Sequence, residues 1–350
     1  MKEILLIVPE EPSPLLSEMI DNTLLNEKFT IIRSINKLSN LQNRKILFAV
    51  ELNEIGISNN LNNLFLQLYK RGKDSLLGSE GSILIHSNYP MFTKTYAQSI
   101  IFLANNLGCS FVGRPLVEAT TNLENFIAMK KVYNMSLEDI CLCQCRELGK
   151  RFLENHHNSI KTKKMLVLHS SNREMSNSLT LWDMVKENLS GIEINEINVG
   201  NGNVLDCKGC TYKTCKYLGK QTKCFYGGIM VEEIYPAILE ADSVLFICPN
   251  YNDMITANLV ATINRFTALY RQTKFYDKTL YSIIVSGYSG GDAIAKQLVS
   301  SLNMNKTFRL PPYFSLLATA NDMGSISLSK DIDKKSKEYA KVIMNLKIDH

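Results

Sequence analysis

Short apolar runs alternate with longer amphipathic stretches along the whole chain, a pattern typical of alternating strands and helices. In the C-terminal half the runs predict strands at about 164–169, 192–198, 243–248, 280–286 and 313–318, with helices between them and another near 330–346. In the N-terminal half they predict strands near 4–8, 30–35, 46–50, 83–85 and 111–112. Such repeated strand–helix units predict an α/β fold of open, doubly wound parallel sheets, each layered between helices (α/β/α).

The two halves also resemble each other in sequence. Leu47, Phe48, Ile57, Asn60 and Leu61 match, without a gap, Leu245, Phe246, Ile255, Asn258 and Leu259. We therefore predict a tandem duplication, with one domain at 1–154, a polar linker at 155–163 and a second domain at 164–350.

The N-terminal copy is expected to be degenerate. Its first loop, P-E-E-P-S-P at 9–14, is acidic and would repel a phosphate group. Its second and third strands are separated by a short polar stretch that leaves little room for a crossover helix.

Composition narrows the class of protein. A chain of 350 residues is long enough for two cores. The net charge of +5 is spread along the chain, so no nucleic-acid partner is expected. We expect no membrane partner, since no apolar segment approaches bilayer length. Nine cysteines without an export signal predict reduced thiols and a cytoplasmic protein.

The stretch S-S-N-R-E-M-S-N-S at 170–178 follows a predicted strand and opens a predicted helix. Unpaired amides and the helix dipole make such a position a ready site for an anion, and a phosphate suits it best. The same residues also suit a simple helix N-cap, and the segment alone leaves both readings open.

Two further loops follow strands of the same predicted sheet. Residues 248–259 bring Pro249, Asn250, Tyr251 and Asn252 to one loop. Residues 285–292 form the other, with glycines that permit close approach of a flat ligand. The carboxyl ends of parallel strands share one edge, so we expect all three loops to converge on one crevice.

A cysteine-rich segment lies between the second and third strands of the C-terminal half. Cys207, Cys210, Cys215 and Cys224 begin with a C-x2-C pair, and thiolates select zinc or iron–sulfur clusters. A metal-free, thiol-rich surface loop is the alternative. The remaining cysteines are expected in the core, and we identify no catalytic acid, base or nucleophile.

The loop motifs resemble those of the flavodoxin-like NADPH-dependent FMN reductases. Residues 170–178 are similar to that family's G-S-x-R-x-x-S-N-S, residues 248–252 to its S-P-x-Y-N, and residues 286–291 to its glycine-bearing loop. The resemblance covers about 163–305. It implies FMN bound by Ser171, Arg173, Ser176, Asn177, Ser178, Pro249, Asn250, Tyr251, Asn252, Gly287, Gly290 and Gly291.

Iron–sulfur flavoproteins within this family carry a compact cysteine motif at the same place. There the motif reads C-x2-C-x2-C with a fourth cysteine soon after, whereas here Cys215 falls two residues late. The resemblance implies a [4Fe–4S] cluster on the four cysteines, with zinc as the alternative.

The predicted function is an FMN-dependent oxidoreductase. It would take electrons from NAD(P)H or a reduced carrier and pass them to a small-molecule or protein acceptor. The alternatives are an electron carrier without substrate turnover and a zinc-stabilised binding module. Family members usually form dimers, so we expect either a homo-oligomer or an intrachain pseudo-dimer with one flavin per chain.

Overall fold

A computed structural model of the chain describes residues 2–34, 40–154, 162–200 and 204–346. The chain divides into two compact units, Met1–Asn158 and Ser159–His350. The predicted linker at 155–163 lies mostly outside the described residues. No helix in the described ranges is long and apolar enough to span a bilayer.

The N-terminal unit is a five-stranded parallel sheet flanked by helices. Its strands are β1 (Ile4–Ile7), β2 (Phe29–Ile32), β3 (Lys45–Glu51), β4 (Glu80–His86) and β5 (Ser110–Ala119), in the order β2-β1-β3-β4-β5. Its helices are α1 (Pro14–Leu24), α2 (Asn59–Arg71), α3 (Thr93–Asn105), α4 (Ile127–Tyr133) and α5 (Leu137–Leu153), with a 3₁₀ turn at Thr121–Phe126.

The C-terminal unit contains a second five-stranded parallel sheet. Its strands are β6 (Lys164–His169), β7 (Glu193–Asn198), β8 (Ser243–Pro249), β9 (Thr279–Ser286) and β10 (Ser315–Thr319), in the order β10-β9-β8-β6-β7. Its helices are α6 (Asn177–Lys186), α7 (Tyr212–Lys220), α8 (Tyr235–Glu240), α9 (Ala257–Tyr270), α10 (Gly291–Leu298) and α11 (Ile332–Ile343). Shorter helical turns are π at Met230–Ile234 and Val299–Met304, and 3₁₀ at Ser325–Leu328.

Both sheets follow the strand order 2-1-3-4-5 of flavodoxin-like proteins, which confirms the predicted fold class. The buried strands are nearly continuous apolar runs, as expected for parallel sheets covered on both faces. β4 (Glu80–His86) is longer than the predicted 83–85, because the prediction followed the apolar run and left out Glu80. This polar residue is nevertheless buried at the start of the strand. Lys45 on the neighbouring β3 lies 3.7 Å from the Glu80 carboxylate, and this pairing permits the burial.

Four of the five cysteines outside 207–224 are buried as expected, and Cys143 is the exception. Cys141 and Cys145 lie on the buried face of α5, while Cys143 on the same helix is partly exposed. Cys109 and Cys248 are fully buried, and burial raises the pKa of each thiol above its ordinary value. The thiolate is the reactive form of cysteine, and a raised pKa disfavours it. Cys109 and Cys248 are therefore packing residues of the core rather than nucleophiles.

Candidate functional site

The carboxyl ends of β6, β8, β9 and β10 border one cavity of about 730 Å³ in the C-terminal unit. These strands are parallel neighbours, so the loops that follow them leave the sheet at one edge. The predicted site residues that line the cavity are Ser176, Asn177, Ser178, Pro249, Asn250, Tyr251, Asn252 and Gly287. The remaining predicted FMN residues, Ser171, Arg173, Gly290 and Gly291, are not among the lining residues.

The first loop ends at the N-terminus of α6. Ser176 is the N-cap, and its hydroxyl accepts a hydrogen bond from the amide of Leu179 at 3.2 Å. The amides of Asn177 and Ser178, at the first two helical positions, have no carbonyl to bind within the helix. The Asn177 side chain donates to Asp322 O at 2.8 Å, so this residue offers the cavity its backbone amide.

Ser171 lies just before this helix start and is 8% exposed. Its hydroxyl is a buried polar atom without a hydrogen-bond partner in the described structure. The neighbouring Ser170 hydroxyl lies 2.7 Å from that of Thr256, which joins the first loop to the loop after β8. The first loop is thus anchored and carries an unsatisfied hydroxyl.

Arg173 is engaged on the exposed surface rather than at the cavity. Its guanidinium pairs with both carboxylate oxygens of Asp183, at 3.0 and 2.9 Å, and with Glu196. Burial alone would raise the pKa of Glu196, but the Trp182 hydrogen bond and the charge of Arg173 outweigh burial and lower it. Arg173 is therefore held by two carboxylates in this arrangement.

The loop after β8 is a tight turn. Asn252 and Asp253 both have a φ of +56°, and the amide of Met254 donates to Tyr251 O at 3.2 Å. Asparagine and aspartate tolerate this left-handed backbone better than most residues, so the sequence N-D fits the turn. The Asn250 amide group donates to Asp253, Ser286 and Ser289, at 3.0, 3.1 and 3.0 Å, and so joins this loop to the next.

The loop after β9 depends on glycine at two places. Gly290 has a φ of +86°, and a Cβ there would lie 1.9 Å from the Asp253 carboxylate. A Cβ at Gly287 would lie 2.9 Å from the Asn321 side chain. Tyr251 and Tyr288 line the cavity with 64% and 84% of their surfaces exposed, so each ring is accessible at its mouth.

The predicted FMN-binding residues do not include several residues that line the cavity, although some of these lie in the predicted loops: Met175, Asp253, Val285, Tyr288, Ser289, Ala320 and Asn321. Ala320 and Asn321 follow β10, and the rule that ligands lie at the carboxyl ends of parallel strands would have pointed to them. Asp253 adjoins the predicted Asn252, but the motif gave no reason to include a carboxylate.

The four predicted metal ligands line a second cavity in the C-terminal unit, of about 220 Å³. Two arginines also border this cavity: Arg265 within α9 and Arg271 at the C-terminal end of that helix. The cysteines concerned are Cys207, Cys210, Cys215 and Cys224. Within the described residues, no group of three or more cysteine, histidine or acidic side chains is arranged to hold a single metal ion.

Arg265 is the unusual member of this second cavity. It is 2% exposed, and one of its terminal nitrogens donates to Gly227 O at 2.6 Å. Its Nε is buried, and none of the described residues accepts a hydrogen bond from it. Arg265 thus places a buried positive charge at the cavity that the four cysteines border.

The corresponding edge of the N-terminal sheet contains its own carboxylates. Glu51, at the end of β3, accepts a hydrogen bond from the Ser13 amide at the start of α1 (3.1 Å) and pairs with His86. Burial alone would raise the pKa of Glu51, but the bonds from His86 and Ser13 outweigh it and lower the pKa. Glu10 accepts from the Ser58 hydroxyl at 2.6 Å, at the start of α2.

Comparison with solved structures finds distant similarities over about half of the chain. The azoreductase from Bacillus anthracis str. Sterne is 17% identical over 53% of this chain and 100% of that chain, with a TM-score of 0.38. Smu.1420 from Streptococcus mutans UA159 is 15% identical over 52% of this chain and 100% of that chain, with a TM-score of 0.36. No curated protein matches the sequence.

The family comparison covers the region that forms both cavities. Residues 163–322 match the family model described as NADPH-dependent FMN reductase. The matched segment begins just before β6 and extends past β10, so it contains all the strands whose loops border the larger cavity. The C-terminal unit therefore carries, over residues 163–322, the sequence pattern of the NADPH-dependent FMN reductases.

Proposed function

We propose that the C-terminal unit binds FMN in the larger cavity and transfers electrons from NAD(P)H, or from a reduced carrier, to a small-molecule or protein acceptor. The observation that carries this proposal is the single cavity of about 730 Å³ bordered by loops that match the family's motifs. Its volume lies within the range typical of cofactor sites.

The residues present fit an FMN molecule. The amides of Asn177 and Ser178 would bind the phosphate at the positive end of α6, and the unsatisfied hydroxyl of Ser171 lies in the loop that leads to this helix. Tyr251 and Tyr288 would flank the flat ring, and Gly287 lines the cavity beside Tyr288 without a side chain to obstruct it. When bound, FMN supplies hydride and electron transfer, and the chain orients it and limits access to it.

We propose further that the four cysteines hold a [4Fe–4S] cluster. Two features support this: all four border one cavity, and the buried Nε of Arg265 has no partner there. A cluster with four thiolates is anionic, so it would satisfy the guanidinium that α9 buries. The proposal rests on the shared cavity and on the buried guanidinium, because the four described thiols are not arranged as a coordination shell around one metal ion.

One FMN per chain is expected. The helix N-termini at the edge of the N-terminal sheet already bind Glu51 and Glu10, and carboxylates there would repel a phosphate. The N-terminal unit would then contribute to an oligomer or pseudo-dimer without binding flavin itself.

An absorption spectrum of anaerobically purified protein, with FMN, iron and zinc assayed on the same sample, tests these proposals. We expect one FMN and about four irons per chain, with oxidation of NADPH or NADH. Flavin without nicotinamide oxidation would indicate an electron carrier. Protein that contains zinc and takes up no FMN would instead indicate the binding module.

A matched pair of variants separates the cluster from the flavin. C215S should lose iron and keep FMN, because Cys215 borders the smaller cavity only. C143S removes a partly exposed thiol from α5 in the N-terminal unit and should keep both. Equal iron in C215S and C143S would contradict the cluster proposal.

A further inference from the structure

One charged side chain stands out at the larger cavity. Among the described residues that line it, Asp253 alone carries a charged side chain, and the rest are apolar or neutral polar groups. Arg173, the cation expected near the ligand, pairs instead with Asp183 and Glu196. Among the described residues that line the cavity, no cation therefore offsets the negative charge of Asp253.

The carboxylate of Asp253 has a defined position. Its backbone amide donates to Asn250 Oδ1 at 2.8 Å, and its carbonyl accepts from Gln297 Nε2 at 2.8 Å. The Asn250 amide group donates to its Oδ1 at 3.0 Å, and the backbone of Gly290 packs against the same oxygen. All of these partners are neutral, so they orient the negative charge without cancelling it.

A fixed charge at this place acts on the redox equilibrium of a bound flavin. Two-electron reduction of FMN takes up a hydride, meaning two electrons and one proton, and leaves the ring with a net negative charge near neutral pH. A neighbouring carboxylate disfavours that charged product by Coulomb repulsion. The oxidised ring is neutral and experiences no such penalty.

We propose that Asp253 lowers the reduction potential of the FMN bound in this cavity. The inference rests on the proposed function, since it requires FMN at this site. Asp253 would make the reduced cofactor a stronger reductant by weakening binding of the reduced form relative to the oxidised form. Asp253 would act through its charge, without contact to a reacting atom.

The test compares D253N with a control that removes a similar charge elsewhere. Asparagine keeps the shape and tolerates the backbone φ of +56°, so D253N should fold. In the control, D277N, the residue replaced lies before the amino end of β9, at the opposite edge of the sheet. The midpoint potential of the FMN-loaded full chain is measured against a reference dye, and FMN affinity is measured for the oxidised chain.

In D253N the affinity for reduced FMN should rise about tenfold relative to oxidised FMN, which corresponds to about +30 mV for a two-electron couple. The shift should shrink as salt is added, because the carboxylate is exposed. D277N should keep the wild-type potential. A second variant, D253G, removes the charge and suits the left-handed turn, so it should shift the potential in the same direction.

Three results would be decisive against the inference or its basis. If D253N and D277N have the same potential, Asp253 does not set it, although the proposed function stands. If only D253G shifts the potential, the backbone rather than the charge is responsible, and the inference is wrong. If the wild-type chain takes up no FMN, both the proposed function and this inference fail.

Discussion

The two units share one strand order but differ in what lies at the N-termini of their helices. In the N-terminal unit the start of α1 binds Glu51 and the start of α2 binds Glu10, both from the same unit. In the C-terminal unit the start of α6 borders a cavity of about 730 Å³. The fold therefore provides an anion site in both units, and side chains at the strand ends decide whether a ligand can reach it.

A single aligned position accounts for much of this difference. In the gapless match between the halves, Glu51 at the end of β3 corresponds to Pro249 at the end of β8. Glu51 reaches the amide of the α1 N-cap, whereas Pro249 has no polar side chain and lines the cavity. A carboxylate introduced at position 249 should therefore make this edge of the C-terminal sheet resemble the same edge of the N-terminal sheet.

The largest effect is expected for P249E. The new carboxylate would compete with a phosphate for the amides at the start of α6, so the Kd for FMN should rise about 100-fold, or about 2.7 kcal/mol. Fluorescence titration of the apoprotein with FMN measures this change.

P249Q is the matched control, because it introduces a side chain of similar size without the charge. Its Kd for FMN should remain within about tenfold of the wild-type value. If P249Q and P249E weaken FMN binding equally, the size of the side chain and not its charge explains the effect. The charge at this position would then not account for the difference between the two units.

An intermediate effect is expected for E51Q in the N-terminal unit. The substitution removes the charged partner of His86, and hydrogen bonds to charged groups contribute about 1.5–3 kcal/mol to the free energy of unfolding. Urea unfolding at neutral pH should show a loss of this size, with no change in FMN content. E54Q, at an exposed position, should unfold like the wild type.

The E51Q effect should also depend on pH. The folded state lowers the pKa of Glu51, so its stabilisation is complete above the ordinary value of 4.5 and is lost as the pH falls towards the folded-state pKa. The stability difference between wild type and E51Q should therefore shrink on acidification. A difference that stays constant below about pH 4 would contradict the assigned role of the Glu51 charge.

The smallest effect is expected for R173A. Its guanidinium is half-exposed and paired with Asp183 and Glu196, and exposed ion pairs contribute only about 0–1 kcal/mol. The Kd for FMN should change by less than about fivefold at moderate salt. A larger loss would mean that Arg173 leaves its carboxylates and contacts the phosphate, as the sequence resemblance implies.

Sequence predicted the strands and the converging loops because these depend on local pattern. Apolar runs mark buried parallel strands, and their carboxyl ends must share an edge whatever the packing details. The partners of Arg173 could not be read in this way. Asp183 and Glu196 lie on α6 and β7, and only the folded arrangement brings both to one guanidinium. The buried Glu80 was missed for the same reason, since Lys45 comes from another strand.

Asp253 shows a different limit of sequence reasoning. The motif that its neighbours resemble ends at Asn252, so the motif does not identify Asp253. The left-handed turn at Asn252 and Asp253 then directs a carboxylate to the cavity. Motif resemblance identifies what a site shares with its relatives, and residues particular to one chain need the structure.

The buried guanidinium of Arg265 has a consequence for the lifetime of the protein. Without the proposed cluster, the described partners of this buried cation are two backbone carbonyls and the ring of Tyr226, none of which carries a charge to offset it. Such burial is costly for the region at 205–228. Local opening of that region would then require less free energy, and proteases cleave opened segments. If the proposed cluster binds there, chains that have received it should outlast those that have not, and turnover of the protein would follow the supply of iron.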